Sequence, residues 1–557
     1  MYTNSVQRLK RFAIFCFFLT ATSFATAQTS QLGKVDFPTS GSPAAQAHFL
    51  RGLAALHSFW YEEALEAFRE STRIEPDFMM GYWGEAMAYN HPLWSEQDTP
   101  AARAVLAKIK ETPKLSARER AYLNAVKLLY GEGDKLMRDT AYSAAMETVY
   151  RDYPDDLDAA AFYSLSLLGL VRSEDKSYRL QARAGAIALE VYQKNPNHPG
   201  AAHYIIHAFD DPDHAILALP AARRYADIAP EAHHARHMPS HIFLQLGMWP
   251  ETAASNESAW EASDAWMRRK NLSPSVRDYH SLHWLTYVYL QQGRYSKAEE
   301  LLGLMKKTMS ESTYENKLRP GYYENNYANM AAAFVVETER WDLAATLFPP
   351  TSANSQASAA SSHGMHGSPA PANGSMTMNY SNSADRLRTF TVNLAAALKG
   401  SMKTAPDMAD HNTDSPGNAV KVIGELQIAA VFASMSGAHD KAIELMREAV
   451  SREEKMGPPS GPPGVIKPSH ELFGEILLRA GKPDAAAAQF RTALLRQPNR
   501  ARSLLGAARA AAKSGDRVGA VAAYSKFLEQ WQQADKGLPE LREAQDYLKR
   551  ARSSIAP

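Results

Sequence analysis

Apolar residues recur at helical spacing along most of the chain. Through residues 115–150 and 176–195 they fall three and four apart, which gathers them on one helix face. No useful length alternates apolar with polar residues, so the pattern predicts helices and no sheet. Turn signals divide the helices: Gly247 with Trp249, Gly293 with Tyr295 and Ala298, Trp341 with Ala344, and Gly437 with Ala442. Pro154 and Pro230 stand where helices should end. One stretch breaks the pattern. From Pro349 to about Asn382 the chain is rich in Ser, Ala, Gly, Pro and Asn and too poor in large apolar residues to build a core. A short helical segment near Asp385–Leu398 is expected next, then a second loose run, Thr404–Asn418.

The turn signals also repeat. Gly474, Ala486, Phe490 and Pro498 reproduce, gap for gap, the spacing of Gly52, Ala64, Phe68 and Pro76. Ala508, Ala520 and Tyr524 continue the series from Gly474, Ala486 and Phe490 at one constant interval. Small residues let paired helices approach, the aromatic ring fills the gap between units, and proline stops the second helix. That interval and these places resemble the tetratricopeptide-repeat family, whose helix–turn–helix unit has a period of about 34 residues. The resemblance extends over most of the chain beyond its N-terminal segment. It implies an all-α helical solenoid whose first helices line a concave groove that takes a peptide or protein partner. We therefore expect an N-terminal lead-in at 28–43, a repeat array at 44–348, a flexible insertion at 349–418 and a second array at 419–557.

Residues 1–27 read as a secretory signal. Arg8, Lys10 and Arg11 precede the apolar run Phe12–Leu19, which is too short to span a bilayer, and Ala25-Thr26-Ala27 offers a cleavage site before Gln28. Cleavage after Ala27 would place the protein in a periplasm of Gram-negative type or outside the cell, with no membrane span remaining. It would also change the net charge from +1 to −2 by removing those three basic residues. A near-neutral balance lacks the basic footprint of nucleic-acid binding. Cys16, the single cysteine, lies in the signal, so any metal site must use His, Asp, Glu or Met.

Nine of the 18 histidines lie between Ala201 and Leu285. His203 and His207 are four apart, and the same spacing returns one repeat period later as His237 and His241; His234 and His237 recur as His280 and His283. Two imidazoles at i, i+4 share a helix face and can reach one metal ion. Residues one repeat apart occupy equivalent places, so His203, His207, His237, His241 and His283 are expected to converge as metal ligands. His234 and His280 are expected at the edge of the patch, and His198, His439 and His470 outside it. Pro239 weakens the argument for the second pair, because it disfavours a helical Met238. Asp210, Asp211 and Asp213 could act as ligands or orient imidazoles, although Asp210-Asp211-Pro212 is also an ordinary helix stop.

Weaker candidates remain. His57 and His91 are also one period apart, and Asn90–Trp94 forms a loop whose aromatic residue could cover the groove. Glu471 and Glu475 take places equivalent to the histidine pairs, after the Pro-rich lead-in Pro458–Pro463. In the insertion, His363, Met365 and His366, followed by Met376 and Met378, would suit copper. There is no phosphate loop, nucleophile elbow, His-Glu-x-x-His or cysteine cluster. Three functions stay open: a scaffold that binds a protein or peptide through a histidine-rich groove, a copper- or zinc-binding protein, and a histidine-ligated metalloenzyme.

Overall fold

The computed structural model describes residues 31–172, 175–311, 321–348, 380–406 and 416–553. The signal, the cleavage site at Ala27 and the His363, Met365, His366, Met376 and Met378 group lie outside the described residues.

The protein is an all-α helical solenoid. Antiparallel helix pairs follow one another, beginning with Pro43–His57 and Tyr61–Ile74 and ending with Arg517–Gln530 and Pro539–Ser553. Among the described residues the only strands are the short pair Asn90–His91 and Glu96–Gln97, which closes the loop carrying Trp94.

The repeated residues do the packing expected of them. Phe68 is fully buried, and a Cβ at Gly52 would lie 2.8 Å from its ring. A Cβ at Gly84, one unit later, would fall inside the same ring. Phe490 sits likewise between Gly474 and Gly506. Each aromatic residue thus wedges between the first helices of two successive units, and glycine is needed on both sides because no side chain would fit.

Residues 31–557 form one compact unit, in which the second set of repeats packs onto the first. The Trp249 indole N–H donates to the Asn499 carbonyl at 2.8 Å, and that of Trp531 donates to the Gln291 carbonyl at 2.9 Å. Asn499 Nδ2 donates to the carbonyl of Gly247, whose φ of +65° belongs to the left-handed turn between two helices. Inside the stretch expected to be a loose insertion, Tyr380–Leu398 is a helix that packs against Tyr322–Thr338 and Pro416–Met435. Leu387 and Leu394 join the same apolar core as Leu426 and Phe473, and this burial orders the segment. Asn418–Met435 is long and apolar enough to cross a membrane, but 61% of it is buried against the rest of the protein, as in a core helix.

Candidate metal centre

Four helical segments bring the histidines together. Pro199–Ala208 carries His203 and His207, with Pro199 in its first turn and the His198 imidazole capping Ala201 N at 3.1 Å. His233–His237 and Pro239–Gln245 carry the second pair. Met238 keeps right-handed helical angles (φ −54°, ψ −36°), so Pro239 opens a new first turn without turning the chain away. Tyr279–Gln291, capped by Asp278 at Ser281 N, supplies His280.

The ligating nitrogens form two groups of three. Those of His203, His207 and His234 lie within 4.8 Å of one another, as do those of His237, His241 and His280. Within the groups, His203 Nε2 is 3.0 Å from His207 Nε2, and His237 Nε2 is 3.1 Å from His241 Nε2. The groups adjoin, with ring centroids 5.9 Å apart for both His207–His241 and His234–His237.

The outer nitrogens determine the tautomers. His203 Nδ1 donates to the His57 carbonyl at 2.7 Å, and a carbonyl can only accept, so Nε2 carries the free lone pair. His237 Nδ1 donates to Asn256 Oδ1 at 2.7 Å; the Asn256 amide is held in that orientation by its own bond to the Thr252 carbonyl. His241 Nδ1 donates to Asp210 Oδ2 at 2.6 Å, and Gln245 Nε2 holds the other Asp210 oxygen at 3.1 Å. Both Nδ1 atoms are thus engaged outward, and the two Nε2 atoms face each other across 3.1 Å. Such a contact is repulsive unless a proton or a cation lies between them. Two nitrogens bound to one tetrahedral zinc stand about 3.3 Å apart, so only small ring movements are needed to hold an ion.

Burial and mutual repulsion disfavour charge on five of these rings. Desolvation, reinforced by neighbouring imidazoles, pushes His203 and His237 down to about 3. The same causes push His207, His234 and His280 well below the usual histidine range. His234 Nε2 is buried and has no hydrogen-bond partner among the described residues. Aromatic rings enclose the cluster. Phe59 lies 4.3 Å from His203, Trp284 lies 4.3 Å from His241, and Trp94 stands over His234 at 6.1 Å. A Cβ at Gly461 would lie 2.5 Å from Trp284, and Gln245 donates to the Pro459 carbonyl, so the Pro-rich 458–463 segment closes over this end of the site.

Some expected residues take other places. His234 and His280 are full members of the two groups rather than edge residues. His283 belongs to neither group: the position four further along its helix is Tyr287, whose hydroxyl accepts from Arg500 at 2.8 Å, so no second imidazole completes a pair there. Glu471 and Glu475 do not join the histidines. Glu471 is fully buried between Arg500 (2.8 Å), Lys467 (3.0 Å) and Ser503 (2.6 Å), and Glu475 pairs with Lys467 at 2.5 Å. Arg500 also reaches Glu337 at 2.5 Å, which makes this an ionic clamp between the two sets of repeats. Asp211 caps its turn and holds His214, whereas Asp210 orients His241. His91 stacks on Tyr61. His470 pairs with Gln489 and Glu454, away from the cluster.

A third group, His57, Asp158 and His198, is fully buried and held mainly by contacts within itself and to Tyr204, with Asp158 Oδ2 and His198 Nε2 lacking a hydrogen bond among the described residues. His57 Nε2 meets Asp158 Oδ1 at 2.8 Å and His57 Nδ1 meets the Tyr204 hydroxyl at 2.9 Å. Because His198 Nδ1 accepts from Ala201 N, its Nε2 carries the proton and faces Asp158 at 3.3 Å. Here nitrogen faces carboxylate instead of nitrogen, and the group acts as a buried brace. Nothing in the spacing of Asn256, Gln245 or His57 along the chain marks them as the groups that orient the cluster.

Comparison with known proteins places a tetratricopeptide repeat at residues 45–78. Solved structures with a similar course include the human IFIT1 dimer with m7Gppp-AAAA, at 12% identity over 95% of this chain and 92% of that one, with a TM-score of 0.34. The APC/C hetero-tetramer Cut9-Hcn1 matches at 13% identity over 91% of this chain and 76% of that one, with a TM-score of 0.28. No curated protein matches the sequence.

Proposed function

We propose that this tetratricopeptide-repeat protein is an exported binder of a transition metal, held by the histidine cluster between its repeats. One observation carries the reading: six imidazoles converge in two groups of three, with the Nε2 atoms of His237 and His241 facing each other at 3.1 Å. Imidazole nitrogen suits zinc and copper, and the carboxylate on His241 is the outer partner that metal-bound histidines ordinarily have. The tetratricopeptide scaffold suggests protein or peptide binding as well. The histidines serve that role poorly, because His203 and His237 are fully buried and the others half-buried. A partner would meet the outer faces of the repeats while the ion sits between them. The apolar run Phe12–Leu19 and the Ala25-Thr26-Ala27 site support export.

Elemental analysis of the tag-free protein, expressed with its N-terminal segment, tests the reading. The expected result is stoichiometric zinc or copper in the exported fraction, lost when His237 and His241 are both replaced by alanine. Protein that purifies without metal and takes up neither zinc nor copper in titration would overturn it.

A further inference from the structure

The two histidine groups are copies of one arrangement. Each takes an i, i+4 pair from one unit and a third imidazole from the first turn of the next unit's leading helix. His203 and His207 combine with His234, and His237 and His241 combine with His280. The pairs stand one repeat period apart, whereas the third members are farther apart because the second unit contains the long helix Trp249–Lys270. A half-site repeated at the repeat period should hold its own ion each time. A single ion cannot use all six nitrogens: it would need donors from both sides of the 5.9 Å His207–His241 seam while each group already converges on itself.

Charge narrows the choice of metal. Imidazole ligates a metal as a neutral donor, and two carboxylates act on the six rings. Asp210 accepts from His241, while Asp278 acts on His237 and His280 but shares its charge with His233 at 3.2 Å. Among the described residues, at most two negative charges therefore face the site. Two divalent ions would leave at least two positive charges uncompensated among buried rings, which is costly in a low-dielectric interior. Two monovalent ions leave no such excess. Copper(I) is the monovalent transition ion that imidazole binds, and three donors per ion suffice for it.

We propose that the cluster is a dinuclear copper(I) centre, one ion on His203, His207 and His234 and the other on His237, His241 and His280. This rests on the metal-binding reading above and adds the number and identity of the ions. With three protein donors apiece, both ions keep room for one small ligand between them. Two-metal sites of this kind hold their ions about 3.5–4 Å apart.

The test is anaerobic titration of the full-length, metal-free protein with copper(I) against a chromophoric chelator, and separately with zinc(II). X-ray absorption on the copper-loaded wild type follows. The expected result is two copper ions per chain, about three nitrogen neighbours for each, and a copper–copper distance of about 4 Å. His234→Ala and His280→Ala should each leave one tightly bound copper, at unchanged helical content by circular dichroism. A single copper per chain, or two without a copper–copper shell, would overturn the dinuclear centre while leaving the metal-binding reading intact. Tight zinc binding with weak copper binding would overturn the choice of ion alone. No binding of either metal would remove the reading beneath it. The absorption measurement needs no substitution, so a variant that failed to fold would not spare the proposal.

Discussion

Replacing Asp210 by asparagine should weaken one half of the centre and leave the other alone. Both Asp210 oxygens accept: Oδ2 from His241 at 2.6 Å and Oδ1 from Gln245 at 3.1 Å. Asparagine has one acceptor and one NH2 group, so one of these donors must face another donor. Gln245 cannot turn freely, since its Nε2 also donates to the Pro459 carbonyl at 2.9 Å. If the NH2 faces His241, the imidazole must move its proton to Nε2, and an incoming ion must then displace it. If it faces Gln245, the segment over the site loses a tie. In either case the charge-assisted bond on His241 is gone. Loss of such an outer partner lowers metal affinity about 10–100-fold, which is about 1.4–2.7 kcal/mol. A chelator-competition titration should show one site weakened by that factor and one unchanged. Retention of both affinities within a factor of about two would refute the assignment of Asp210 as the group orienting His241. The melting midpoint of the metal-free variant serves as the control, because a purely structural role would lower it without separating the two sites.

Arg500→Met should cost about 3–5 kcal/mol, read as a shift in the urea midpoint, because it leaves Glu337 buried without its cation and Glu471 with Lys467 alone. Phe490→Ala should cost about 3–5 kcal/mol by the same assay, since the ring fills the space that Gly474 and Gly506 leave open. The metal-free protein should lose stability as pH falls from about 6.5 towards 3. In that window unfolded histidines take up protons that the folded His203 and His237, held down to about 3, refuse. Each such histidine steepens the decline by up to about 1.4 kcal/mol per pH unit, and a urea midpoint that stays flat from pH 7 to pH 4 would contradict their burial as neutral rings.

The fold is legible in the chain because its packing rule is local. Glycine, alanine, aromatic and proline at fixed gaps specify a helix pair and its neighbour, and Phe68 and Phe490 sit between glycines as that rule requires. The i, i+4 histidine pairs are legible for the same reason. The third imidazole of each group is not, because His234 and His280 reach the preceding unit from the first turn of the next, a relation set by how units stack. The places of the Pro-rich 458–463 segment and of Glu471 escape the sequence through the same kind of gap. Periodicity places residues within an array, while the return of the second set of repeats onto Trp249, Gln291 and Tyr287 is a long-range contact.

That return bears on how the centre could work. The outer side of His237 and His241 is covered from within the first set of repeats and backed from the second. Trp284 covers them, and Trp284 is backed by Gly461 from the far set of repeats, where any Cβ would collide with the indole. The ionic clamp of Arg500 on Glu471, Glu337 and Tyr287 holds that set in place from a neighbouring position. Residues that hold the C-terminal repeats down therefore also back the cover over His237 and His241 and not that over His203 and His207. The half-site on His203, His207 and His234 is closed instead by Phe59 and Trp94 from the first repeats. The two histidine groups thus lie under covers of different origin, and a motion of the C-terminal repeats would loosen the backing of only the one whose histidine is tied to Asp210.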